Sequence, residues 1–174
     1  MAVQTLLESG KSVTYESEVT FRPEVDPHVQ SCSGVKTCDF ISFSSQTDLV
    51  EIVIIEMKSS APMMENEEAL NKYLQEIFEK LTNSLLLLIS NRTRRVHLPT
   101  CPVEQSKSWT GRYPIHFILY ITDFLTEWCV PIQDALRLKM RHVMASYGSA
   151  EVDVVNTELV NRHGWFTNLP LIIN

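Results

Sequence analysis

The sequence predicts an α/β fold, a mixed β-sheet with helices packed on it, as one domain over residues 1–174. Three observations predict it. Two short runs rich in Ile, Val and Phe, Cys38–Phe43 and Leu49–Ser60, flank a polar break at Ser44–Asp48, the pattern of two strands joined by a turn. A long stretch from Asn66 to about Ser90 carries Leu70, Leu74, Ile77, Phe78, Leu81 and Leu85 at three- and four-residue spacing, the stripe of an amphipathic helix. The second half then reads strand, helix, strand.

Taken in order, Val3–Glu8 predicts a short helix stopped by Ser9-Gly10, with glycine just past the helix end. Ser12–Phe21 alternates through Val13, Tyr15, Val19 and Phe21 and predicts a strand with one exposed face. Pro23, Pro27 and Gly34 mark a loop before the two apolar runs. The second of these is apolar almost throughout, as a strand covered on both faces must be. Ser59–Met64 is a connector with Pro62. Asn66 suits the N-cap of the long helix, and Glu67 and Glu68 favour its positive end. Val96–Arg112 reads as a polar loop and Pro114–Thr122 as a central strand. A second helix is expected from about Pro131, a first-turn residue, to Tyr147, with Leu136, Met140 and Val143 as its stripe and Gly148 as its stop. Val152–Val155 predicts a short strand, and Leu159–Asn174 a tail with Trp165, Phe166 and Pro170.

Composition bounds the function. With 44% hydrophobic residues the chain can bury a core. The longest purely apolar run, Leu85–Ile89, is too short to span a bilayer, and Met1–Gly10 has no basic residue before its apolar patch. No membrane partner and a cytoplasmic location are expected. Four cysteines make no disulfide scaffold, and neither the Cys32–Cys38 gap nor His97-x-x-x-Cys101 has zinc-knuckle spacing, so these read as thiols in a reducing compartment. The net charge of -6 gives no global field for nucleic acid, although basic clusters occur at 91–95 and 137–142. Either cluster suits solvated helix ends as well as phosphate contact.

One feature resists a packing explanation. The second apolar run ends in Glu56-Met57-Lys58, and strand alternation puts Glu56 and Lys58 on one face and Met57 on the other. An antiparallel first run brings Asp39 beside Glu56. Such charges are rarely buried unless paired. Asp39 followed by Glu56-x-Lys58 at the end of an apolar strand resembles the PD-(D/E)XK nuclease superfamily. The resemblance covers about the first half of the chain as a pattern of elements and three residues as chemistry, and Cys38 stands where proline often precedes the aspartate.

The resemblance implies a restriction-endonuclease-like mixed β-sheet sandwiched by helices, and a metal-dependent nuclease acting on DNA more than RNA. It implies Mg²⁺, or Mn²⁺, held by Asp39, Glu56 and the Met57 carbonyl, with Lys58 aiding the developing negative charge. A helix glutamate matches Glu8, with Glu16 and Glu18 behind it, and a polar residue of the long helix matches Gln75. The acidic balance points to a homodimer or larger complex on the target. Two other classes remain open, a nuclease-like fold kept as a binding or regulatory module, and a plain interaction domain in which Glu56 and Lys58 are strand-end charges. His116, His142 and His163 have no ligand-like spacing and read as structural. No Gly-rich phosphate loop, GxSxG elbow or HExxH is present.

Overall fold

Ser9 and Gly10 both take positive φ angles, 47° and 79°, so the chain reverses within two residues. This is the turn that suits the twist of a tight hairpin. β1 (Val3–Glu8) and β2 (Lys11–Glu16) therefore pair antiparallel, with Glu8 opposite Lys11. The helix expected over Val3–Glu8 is a strand. The Ser-Gly pair read as a helix stop serves instead as a hairpin turn. The single strand expected over Ser12–Phe21 is also corrected. It breaks after Glu16, where Val19 N–H bonds the Glu16 carbonyl, and β3 (Thr20–Phe21) enters a different sheet.

The structure is a computed structural model that describes residues 2–45, 50–102, 114–166 and 169–173. Most of the turn expected at 44–48 and the second half of the loop expected at 96–112 lie outside the described residues. The stretch marked by Pro23, Pro27 and Gly34 contains a 3-10 turn, Pro23–Val25, and a short helix, α1 (Pro27–Ser31). Asp26, fully buried, caps α1 through the His28 N–H and also receives the Thr100 hydroxyl at 2.6 Å.

The two apolar runs become β4 (Phe40–Ser45) and β5 (Val50–Lys58), antiparallel, with Phe40 opposite Ile55. The long helix follows as α2 (Glu67–Arg92), and Asn66 caps it by accepting the Ala69 N–H at 3.1 Å. β6 (Ile115–Ile121) returns parallel to β5. α3 (Thr126–Tyr147) then leads to β7 (Ala150–Asn156), parallel to β6. The sheet order is β3-β4-β5-β6-β7.

α3 starts five residues before Pro131, which lies inside the helix rather than in its first turn. The missing proline N–H frees the Glu127 carbonyl, and both residues are exposed, so that group meets solvent instead of core. Gly148, at φ 66°, ends the helix with its N–H on Met144. Gln133 and Arg137 of α3 reach over the free edge of β7, taking the Val154 N–H and the Val152 carbonyl. That edge is closed to strand addition.

Two apolar layers result. On one face Ile52 and Ile54 meet Leu74, Ile77, Leu81 and Leu85 of α2 and Ile132, Leu136 and Met140 of α3. On the other, Phe40, Val53, Ile55, Met57, Ile118 and Tyr120 meet Val13, Tyr15, Phe166 and Leu171. The expected tail folds as α4 (Thr157–His163) and β8 (Leu171–Ile173), and β8 pairs with β2 to complete a three-stranded sheet, β1-β2-β8. α2 and α3 thus cover one face only. The other face is covered by this small sheet together with Leu159 and Val160 of α4, so helices lie on both faces but the two long ones share one. No described helix is long and apolar enough to cross a membrane.

Candidate functional site

The antiparallel register fixes the first relationship of the site. Phe40 faces Ile55, so one step outward sets Asp39 opposite Glu56. Both are buried, Asp39 at 5% exposure and Glu56 at 0%. Asp39 Oδ2 accepts the Met57 N–H at 2.6 Å. Strand geometry turns the Met57 carbonyl toward the same edge as its N–H. The chain before Asp39 is pinned to α2, where Ser84 Oγ accepts the Cys38 N–H at 2.8 Å and Asn83 donates to the Lys36 carbonyl.

Glu56 and Lys58 point to the α2 side, as alternation requires. Lys80 Nζ lies 2.6 Å and Lys58 Nζ 3.2 Å from the same oxygen, Glu56 Oε1. Lys58 also pairs with Glu76 at 3.2 Å. Glu56 Oε2 is buried without a hydrogen-bond partner among the described residues, as is the Tyr73 hydroxyl. Tyr73, Glu76 and Lys80, spaced by three and four, share the face of α2 that looks onto the strand end.

The electrostatics follow from this crowding. Burial, and then the charge of Glu56, push the Asp39 carboxyl up to about 7, against the pull of the Met57 N–H and Lys80. Burial also raises Glu56, and the two lysines oppose it. Burial works against the charge on Lys80, but Glu56 outweighs it and the ammonium is held more firmly than usual. Two carboxylates side by side do not both ionise easily. Glu56, gripped by two ammonium groups, is the easier of the two to ionise, and Asp39 gives up its proton only near pH 7.

A second set of acids gathers on Asp39. One carboxylate oxygen each from Glu8, Glu24 and Asp39 lies within 4.8 Å of the others. Burial, then the Asp39 charge, raises the Glu8 carboxyl. Arg22 approaches Glu8 at 3.8 Å, contacts Glu24 and lies over the Phe40 ring. Oxygen donors only, one of them beside an unpartnered buried carboxylate oxygen, suit a hard divalent cation.

The sequence candidates divide accordingly. Asp39, Glu56, Met57 and Lys58 come together, and Glu8 joins them from the end of a strand rather than a helix. Gln75 does not. It is exposed and donates to Glu79, while Glu76 and Lys80 of the same helix meet the strand. Glu16 ends β2 and Glu18 lies in the bend beyond it, so they share no strand face and neither is among the acids at Asp39. The sequence reading missed Glu24, Tyr73, Glu76 and Lys80. Helical spacing from Leu74 and Ile77 marks the inward face of α2 and, with it, the last three. Nothing in the local sequence marks Glu24.

Cys32, Cys38, His97 and Cys101 do not converge. Among the described residues, the two groups that place three ligand atoms together contain none of them. Cys38 is fully buried, and burial pushes its thiol well above the usual range. Of the basic clusters, Arg94 and Arg95 are exposed beyond the end of α2, about 18 Å along the helix from Lys80. Arg137 is engaged at the β7 edge. Comparison of the chain with protein-family models, curated proteins and solved structures gave no match.

Proposed function

We propose that the chain is a metal-dependent nuclease of the PD-(D/E)XK type, hydrolysing phosphodiester bonds in DNA more than in RNA. The observation that carries this reading is Asp39 opposite Glu56 across β4 and β5, with Lys58 beside Glu56 at the strand end. The order of elements supports it too. An antiparallel run β3-β4-β5, a crossover through α2 and a parallel β6 suit a restriction-endonuclease-like arrangement.

Asp39, Glu56 and the Met57 carbonyl would hold the cation, with Glu8 as a further ligand. Mg²⁺ or Mn²⁺ bound there supplies positive charge to the attacked phosphate and acidity to the attacking water. Asp39 must give up its proton to bind, and the Met57 N–H keeps its carboxylate aimed along the strand edge. Glu56 offers Oε2, since its other oxygen is taken by Lys58 and Lys80. Lys58, one-quarter exposed, is the donor placed to meet developing negative charge. A net charge of -6 leaves little basic surface on one subunit, so target binding falls to a homodimer or larger complex.

One observation favours a second reading, a nuclease-like fold kept as a binding module. Glu56 Oε1 already holds two lysines, an ion-pair cluster that balances the charge without a metal. Plasmid incubated with the purified chain and Mg²⁺ or Mn²⁺ separates the two. The nuclease reading expects nicked or linear product that Asp39→Ala and Lys58→Ala abolish, with circular dichroism unchanged. Cleavage that survives both substitutions sinks the site assignment. DNA retention without cleavage, in either metal, selects the binding module.

A further inference from the structure

His116 stands at the opposite end of the sheet from Glu56 and on the other face, the one that carries Ile118 and Tyr120. The strands on either side, β5 and β7, bring acids to its ring. Glu51 of β5 lies 3.1 Å from Nδ1, and from β7 Glu151 lies 2.8 Å and Asp153 3.4 Å from Nε2. Trp165 flanks the ring, with centroids 6.2 Å apart. Arg137 meets the far oxygen of Asp153 at 3.2 Å.

We propose that His116, Glu151 and Asp153 bind one borderline divalent cation of the Zn²⁺ class, with Glu51 fixing the imidazole. Charge supports this. Glu51, Glu151 and Asp153 carry three negative charges against one positive charge from Arg137. Even a protonated imidazole leaves the group negative, whereas a dication with neutral imidazole balances it. Spacing supports it as well. One ligand atom from each of the three residues lies within 4.8 Å of the others. Ligand bonds of about 2.0–2.1 Å in a tetrahedron set neighbouring donor atoms about 3.3 Å apart, matched by the 3.4 Å from Nε2 to Asp153, while the 2.8 Å contact with Glu151 is a hydrogen bond that a bound ion would open.

The division of labour on the ring is the third support. Nε2 faces two ligand carboxylates while Nδ1 faces a separate one, the arrangement by which a carboxylate orients a metal-binding histidine. An imidazole donor selects Zn²⁺ over Mg²⁺, which takes oxygen. The site is independent of the nuclease reading, since it shares no residue with Asp39, Glu56 or Lys58.

The test titrates chelator-stripped full chain with Zn²⁺ by calorimetry, and with Co²⁺ as a spectroscopic stand-in. In excess Mg²⁺, which competes for the oxygen-donor acids at Asp39, one equivalent should bind, with the visible absorption of a low-symmetry cobalt site. Glu151→Gln, at an exposed side chain that folding does not need, should remove saturable binding, and His116→Gln should do the same. Glu51→Gln should weaken affinity by about 10–100-fold with the three ligands intact. Asp39→Asn and Glu56→Gln should leave Zn²⁺ binding unchanged. The proposal is overturned if the wild-type chain takes up no Zn²⁺, if Glu151→Gln binds as tightly as wild type, or if Asp39→Asn abolishes binding.

Discussion

Lys80 Nζ lies 2.6 Å from Glu56 Oε1, so α2 supplies the closest counter-charge for a carboxylate that has no contact with solvent. Lys58 stands farther off and divides itself between Glu56 and Glu76. The shorter pair is therefore the one that makes a buried glutamate tolerable at the end of β5.

Lys80→Met should destabilise the chain by about 2–3 kcal/mol, because Glu56 keeps one lysine but loses the nearer. Urea unfolding reads this directly. In the double variant with Glu56→Gln most of the loss should disappear, since no buried charge is left wanting a partner. A Lys80→Met loss that persists in the double variant would assign the effect to packing of the lysine stem.

Asp39 links stability to pH. Its folded carboxyl titrates near 7 against an ordinary 3.8, so between these values the folded chain holds a proton that the unfolded chain has released. Its contribution is complete below about pH 4 and is lost as pH rises through 7, by at most about 4 kcal/mol. Asp39→Asn keeps an acceptor for the Met57 N–H and should flatten that slope, as measured by unfolding without divalent cations from pH 5 to 8. A slope unchanged by the substitution would rule Asp39 out as its source.

The Ser9-Gly10 turn is open to simple substitution. A Cβ at Gly10 meets no atom within 4 Å, so Gly10→Ala should cost only the backbone strain of positive φ, about 1 kcal/mol. Ser9→Asn should be neutral or mildly stabilising, because Asn-Gly is favoured in this turn. Melting temperatures of the two variants check the turn, and a clear loss of stability at Ser9→Asn would count against it.

Gln75→Ala should leave unfolding within about 0.5 kcal/mol of wild type, as for an ordinary surface position. Any plasmid cleavage should persist at its original rate. A large loss of cleavage would return Gln75 to the site from which its exposed contact with Glu79 now removes it.

What was legible in the sequence is what local periodicity encodes. β4, β5, α2 and β6 carry dense apolar patterns and lie where those patterns put them, and the same alternation set Glu56 and Lys58 on one face. β1 was misread because Val3, Leu6 and Leu7 are spaced like a helix stripe, while four of its six residues are exposed. Its strand state comes from pairing with β2, a partner the local pattern does not show. β8 was missed for the same reason over a longer distance. α3 was cut short because Pro131 reads as a beginning, although its exposed side tolerates a lost backbone bond. His116 and its acids lie on three strands far apart in sequence, where no spacing rule reaches.

The pairing of β8 with β2 joins Val13 to Ile173, about 160 residues apart, whereas each β-α-β crossover on the helix side closes a loop less than half as long. Distant contacts are the slow ones to form. The helix-side layer can assemble first, leaving Ile55, Met57 and Tyr120 uncovered until the last strand docks. Leu171→Ala should then speed unfolding while leaving the refolding rate nearly unchanged, the mark of an interaction made after the transition state. Stopped-flow chevrons decide it, and a slowed folding limb would put the small sheet early instead. The order of assembly makes the half-built chain sticky on one side, so its hazard is self-association during synthesis rather than fragility once folded.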